Sequence, residues 1–184
     1  GMAPQGYLVA SADTLFVPAG RSMPVAFDKR TGKFKRFLSG GGKIGGSWAV
    51  MDGNKLYAGI GNQGTDTKIE FDAKSGGSRG DQFSRYPSVD MVLTKDTAYI
   101  ATKKGIYGID RVANLKANSA VPVLDKESSA LVKNIAAIRK RHKAAVDKPE
   151  ELKKFTAELV KATSRLTAIA KEKTTLNGAR VKWF

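Results

Sequence analysis

The chain has no cysteine and only one histidine, His142. Without thiols there can be no disulfide, no thiolate nucleophile and no cysteine-ligated metal. With a single imidazole, a metal centre would need carboxylates for its other ligands, and none stands at helical spacing around His142. Long apolar runs are missing too: no 18 consecutive apolar residues occur, so no bilayer-spanning helix is expected. Acidic residues are scarce, 17 Asp and Glu against 32 Lys and Arg in 184 residues, for a formal charge of +15. That excess points to an anionic partner, either nucleic acid or lipid headgroups, and carries no information about fold. No charged-then-apolar export segment opens the chain, which starts directly on a strand pattern and reads as a region excised from something longer.

What the sequence does contain is a repeat. Gly6 to Gly32 returns in altered form at Gly46 to Gly76 and again at Val89 to Leu115. Leu15-Phe16-Val17 falls on Leu56-Tyr57-Ala58 and on Ala98-Tyr99-Ile100, spacings of 41 and 42 residues, and Phe27-Asp28 falls on Phe71-Asp72 and Ile109-Asp110, spacings of 44 and 38. A period of about 40 with several strands per unit is the signature of stacked propeller blades, because one small sheet cannot bury both faces alone.

Alternating apolar residues predict strands over 7–10, 15–18, 23–28 and 33–38 in the first unit. The second unit is predicted as strands 48–51, 55–60 and 68–72 with a weak fourth, and the third as 90–93, 97–102 and 105–110. Asp28, Asp72 and Asp110 close the third strand of each unit, with Gly32 and Gly76 supplying positive φ in the turns. A carboxylate that recurs in every unit is a turn builder, since a catalytic site needs building only once. Three units do not close a ring, so the open edges are expected to pair with a second copy or with further blades of a longer protein.

After Pro122 the apolar period changes from 2 to 3.6. Leu131, Ile135, Ile138, His142 and Ala145, then Leu152, Phe155, Leu159, Ala162, Leu166, Ile169, Lys173 and Leu176, step by three and four in a coiled-coil register. Asp125 or Ser128 is the expected cap of the first helix, Asp147-Lys-Pro-Glu-Glu151 the start of the second and Asn177-Gly178 its end. The expected organisation is blades over 1–121, an antiparallel coiled-coil hairpin about 30 Å long over 122–178, and the start of a further extended segment over 179–184.

The phrase Ala26-Phe27-Asp28-Lys29-Arg30-Thr31-Gly32-Lys33 resembles the tryptophan-docking turn of the pyrroloquinoline-quinone-like β-propeller repeats. In that family a tryptophan four residues beyond the glycine locks one blade to the next; here Arg36 holds that position. Glu70-Phe71-Asp72-Ala73-Lys74-Ser75-Gly76 keeps the Asp and Gly, and Gly108-Ile109-Asp110-Arg111 keeps the Asp. The family's dehydrogenases use a vicinal disulfide, a stacking tryptophan and calcium ligands with a catalytic aspartate. This chain has no cysteine, and Trp48 and Trp183 lie in different segments. The resemblance therefore implies the non-catalytic branch, with no cofactor, and suggests a periplasmic or cell-envelope setting in a bacterium.

Two glycine-rich stretches spell phosphate-binding loops without the required context. Gly59-Ile-Gly-Asn-Gln-Gly64 precedes a strand pattern, where a dinucleotide site needs a helix N-terminus. In Gly40-Gly-Gly-Lys-Ile-Gly-Gly-Ser47, Ile44 stands where a magnesium-binding hydroxyl must follow the lysine. Positive charge gathers in Arg139, Lys140, Arg141 and Lys143, joined across the hairpin by Lys148, Lys153 and Lys154. Such a cluster can grip phosphates, although nearby Asp147, Glu150 and Glu151 suit an ordinary solvated helix end. The leading reading is a protein-interaction scaffold. The alternative is an anion-binding module that touches nucleic acid or a membrane surface through this basic tip.

Overall fold

The computed structural model describes residues 4–39, 45–60 and 67–184. The chain forms two compact units, one of Gly1–Arg111 with Val181–Phe184, the other of Val112–Arg180.

The first unit is built from three four-stranded antiparallel sheets. The first comprises β1 (Val9–Ala10), β2 (Thr14–Val17), β3 (Val25–Asp28) and β4 (Phe34–Phe37). The second comprises β5 (Trp48–Asp52), β6 (Lys55–Ile60), β7 (Thr67–Asp72) and β8 (Ser78–Arg79), and the third β9 (Asp90–Leu93), β10 (Thr97–Thr102), β11 (Gly105–Asp110) and β12 (Val181–Trp183). Each sheet is a simple meander, and three-residue alternations such as Leu56-Tyr57-Ala58 send successive side chains to opposite faces. β8 is only two residues long, in keeping with the small and charged composition of its surroundings.

Those faces bury two separate cores. Phe16, Ala26 and Leu38 of the first sheet meet Ala49, Leu56, Ala58 and Phe71 of the second. On its other face the second sheet offers Trp48 and Tyr57 to Met91, Ala98, Ile100 and Ile109 of the third, with Phe83 from the connecting segment wedged between. Burying each large side chain contributes about 1.5–3 kcal/mol, and in both cores the middle sheet supplies the covering surface. The first strands of successive sheets lie side by side, β1 by β5 and β5 by β9.

Two expectations about the third sheet change. The segment after the hairpin is its fourth strand, with β12 pairing antiparallel to β11, and does not begin another blade. The helical region begins at Arg111, well before residue 122: α1 runs Arg111–Ala144 and carries Pro122 inside it. A proline removes one ladder hydrogen bond; the buried Asn114, Ala117, Val121 and Leu124, at helical spacing around it, keep the helix continuous. Asp125 and Ser128 consequently lie mid-helix and cap nothing.

α2 runs Pro149–Ala179 with Pro149 in its first turn and no side-chain cap at Lys148. It passes Asn177 and Gly178, ending beyond them. At 1.5 Å per residue α1 is about 50 Å long, longer than the expected hairpin because of its earlier start. The helices run antiparallel: Arg180 bonds Asn118, Lys173 pairs with Asp125, Arg165 with Glu127, and Arg141 with Glu158, numbers falling on α2 as they rise on α1. Ile135, Ile138, Ala145, Ala162 and Ile169 of the expected seam are buried.

Candidate functional site

The turn after the third strand is constructed twice in the same way. Asp28 Oδ1 accepts the backbone N–H groups of Arg30 (3.1 Å) and Thr31 (2.7 Å) and the Thr31 hydroxyl (2.7 Å). Asp72 Oδ1 accepts the Ser75 N–H (2.7 Å), while Oδ2 accepts the Asn54 amide (2.9 Å) and pairs with Arg79. Gly32 and Gly76 close the turns at φ of +68° and +77°, where a side chain would be strained. The Thr31 hydroxyl above all holds the Asp28 carboxyl below its usual range, and the Ser75 N–H does the same for Asp72.

In the third sheet the helical hairpin takes the place of this turn. The residue after the aspartate donates its N–H to the first hairpin of its own sheet in all three cases: Lys29 to Asp13 O (3.0 Å), Ala73 to Asn54 O (2.9 Å), Arg111 to Asp96 O (3.1 Å). The chain then leaves along α1 and returns at Val181. There Lys182 donates to Thr97 Oγ1 (2.8 Å) and lies 3.6 Å from Asp110 Oδ2. Lys35 holds the equivalent place, 2.9 Å from Thr14 Oγ1 and 3.9 Å from Asp28 Oδ2.

Strand register extends the match. Val181 faces Ile109 as Phe34 faces Phe27; one step past a bulge, Trp183 faces Gly108 as Arg36 faces Ala26. Trp183 therefore occupies, in the third sheet, the position that Arg36 occupies in the first. Sequence reading missed it because 70 residues separate Asp110 from Arg180; the signal was the likeness of Val181-Lys182-Trp183 to Phe34-Lys35-Arg36. Arg36 itself reaches from the first sheet into the turn of the second, where its guanidinium donates to the carbonyls of Ala73 (2.9 Å) and Lys74.

A cleft of about 450 Å³ opens over these turns, lined among others by Asp13, Thr14, Lys35, Arg36 and Asn54. Its polar groups hold one another: Lys35 pairs with Asp13 at 3.2 Å and Asn54 with Asp72. A further charged group, not legible in the strand pattern, lies behind the second sheet. Lys68 Nζ is 3.1 Å from Asp81 Oδ2 and donates to the carbonyls of Phe83 (2.7 Å) and Tyr86 (2.6 Å). Burial pulls the lysine pKa down and pushes that of Asp81 up, opposed in each case by the partner's charge.

At the hairpin tip the seven cations divide. Arg141 pairs with Glu158 (3.7 Å) and lies over the Phe155 ring (5.2 Å to its centre), Lys148 pairs with Glu151 (3.0 Å) and Lys153 with Glu150 (3.1 Å). Arg139, Lys140, Lys143 and Lys154 have no ion-pair partner among the described residues. Cations in the last turn of α1 and acids in the first turn of α2 both suit the helix dipoles. His142 is half-buried, its Nε2 3.3 Å from Thr156 Oγ1 across the hairpin.

Both glycine-rich stretches fall partly outside the described residues. Gly40 to Ile44 and Gly61 to Asp66 are not described, and the chain resumes toward strands β5 and β7 after them. Among the described residues no group of three His, Asp or Glu side chains is placed to hold a metal ion, and no helix is long and apolar enough to cross a membrane. Comparison with protein-family models and with curated proteins finds no match to this chain.

Proposed function

We propose that the chain is a non-catalytic β-propeller segment of the pyrroloquinoline-quinone-like kind, a protein-interaction scaffold that presents a coiled-coil hairpin. The propeller reading is supported by three meander sheets stacked in sequence, with their first strands adjacent as the inner strands of blades are. The observation that carries the display reading is the rooting of the hairpin. The Arg111 N–H makes the bond that the residue after the aspartate makes in both other units, and the Lys182 ammonium the one that Lys35 makes in the first, so the sheet accommodates some 70 residues of helix at a position filled elsewhere by four. Long inserts in a turn are tolerated because loop closure costs grow only logarithmically, and binding elements sit in such turns on rigid scaffolds.

The test is a chain in which 111–180 is replaced by the Lys29–Gly32 turn. Its sheets should keep their circular dichroism and urea midpoint, while protein cross-links formed by the full chain in an extract of its source cell disappear. If the same cross-links survive the replacement, the hairpin is not the display element.

The anion-binding reading draws on the four cations at the tip that have no ion-pair partner among the described residues. It predicts heparin retention that persists at ~0.15 M salt and is lost when Arg139, Lys140, Lys143 and Lys154 are changed to Gln.

A further inference from the structure

Each sheet has two unlike faces, and the chain uses them in a fixed direction. One face carries the aromatic of the repeated triplet, Phe16, Tyr57 or Tyr99, and packs on the sheet that follows. The other carries its flanking aliphatics and the residue before the turn aspartate: Leu15, Val17 and Phe27; Leu56, Ala58 and Phe71; Ala98, Ile100 and Ile109. This face receives the sheet before. The contact is made twice, first sheet into second and second into third.

Several of these positions are exposed on the first and third sheets, although Val17 and Val25 on the receiving face of the first sheet are buried. Phe16 and Tyr57 are 1% and 0% exposed, but Tyr99 is 37% exposed, with Trp183 at 48% and Val92 beside it. On the receiving side Phe71 and Ile109 are fully buried, whereas Phe27 is half-buried and Phe34 and Phe37, its aromatic neighbours, are 55% and 56% exposed. The third sheet thus presents a giving face and the first a receiving face, each the counterpart of a face covered between the sheets.

Resting on the stacked-blade reading, we propose that a second copy of this chain covers both faces. The third sheet of each copy would pack, head to tail, on the first sheet of the other through Tyr99 and Trp183 against Phe27, Phe34 and Phe37. Two copies then form a ring of six sheets about a two-fold axis, within the four to eight blades that closed propellers contain. A second copy is the occupant that needs no additional component, because it brings both halves of a contact this sequence already makes. With +15 on each copy the contact is apolar and opposed by charge, so added salt strengthens it, the reverse of phosphate binding.

Sedimentation equilibrium of the full chain tests this between ~1 and ~100 µM, in low and high salt. The ring predicts two-chain mass, favoured by salt. Phe34→Glu with Phe37→Glu removes the receiving face, and Val92→Lys with Tyr99→Lys the giving face. Either pair should return the protein to the mass of one chain with unchanged circular dichroism. Mixing the two variants should restore a two-chain species, because one giving and one receiving face remain intact between them. Three results would overturn the proposal: a wild-type chain that stays single at the highest concentration, mass that climbs past two chains, or a giving-face variant that still pairs with itself. Hydrogen exchange on the same samples separates this from failure of the blade reading. Protected amides over Leu56–Ala58 and Ala98–Ile100 in a single-chain species would sink the ring alone, and unprotected ones would sink both.

Discussion

Trp48 faces Gly59 across β5 and β6, and its indole lies directly over the glycine: a β-carbon on Gly59 would stand 2.2 Å from Trp48 Cζ2. The tryptophan is almost fully buried between the second and third sheets and has no room to withdraw. Trp183 covers Gly108 in the same manner, with a β-carbon there 2.6 Å from the ring, but within one chain it is half exposed.

Gly59→Ala should therefore destabilise the sheet unit by about 1–3 kcal/mol, the usual range for overpacking a core, while Gly108→Ala costs clearly less. Urea unfolding followed by tryptophan fluorescence measures both. Trp48→Leu in the Gly59→Ala background should recover part of the loss. Equal costs at the two glycines would mean that Trp48 yields as easily as Trp183, contrary to its burial.

The Lys68 ammonium has three oxygen acceptors and almost no contact with solvent. Lys68→Met leaves Asp81 buried without its cation and frees the carbonyls of Phe83 and Tyr86. Breaking one side of a buried pair costs about 3–5 kcal/mol, and the urea midpoint should fall accordingly. Changing Asp81→Asn in addition should restore part of the stability, since no uncompensated charge remains. A Lys68→Met chain as stable as the wild type would show that this pair contributes nothing to holding the 81–87 segment.

Acid should loosen both units through carboxylates whose pKa values are lowered by folding. Thr14, Thr31, Ser75 and Arg165 are the leading partners that depress Asp13, Asp28, Asp72 and Glu127 respectively. A carboxyl with a lower pKa folded than unfolded contributes stability above its unfolded value, near 4, and loses it as pH drops through the folded one. The thermal midpoint attributable to these groups should be level down to about pH 5 and fall below about pH 4. Asp72→Asn should make that acid limb shallower. An unchanged limb in the variant would remove Asp72 from the account.

Most strand positions were legible because alternation is local: β6, β9, β10 and β11 lie where the pattern puts them. The helix start was misread for an equally local reason. Pro122 normally marks a boundary, and it outweighed the three-and-four spacing of Asn114, Ala117, Val121 and Leu124, which burial turns into helix. For Trp183 the one local signal was the likeness of Val181-Lys182-Trp183 to Phe34-Lys35-Arg36. Which sheet Val181–Trp183 joins depends on Asp110, Lys182 and Thr97 meeting across the hairpin, and no window of sequence spans that distance. For the basic tip, composition located the charges, whereas only the fold separates Arg141, Lys148 and Lys153, which are paired, from Arg139, Lys140, Lys143 and Lys154.

Both ends of the helical arm are anchored in neighbouring strands of one sheet, β11 and β12. The spacing of the two exits is set by the pairing of Ile109 with Val181 and not by the helices. Adding or removing whole turns in both helices, at about 5.4 Å a turn, would therefore alter the reach of the arm and leave the sheet that carries it unchanged.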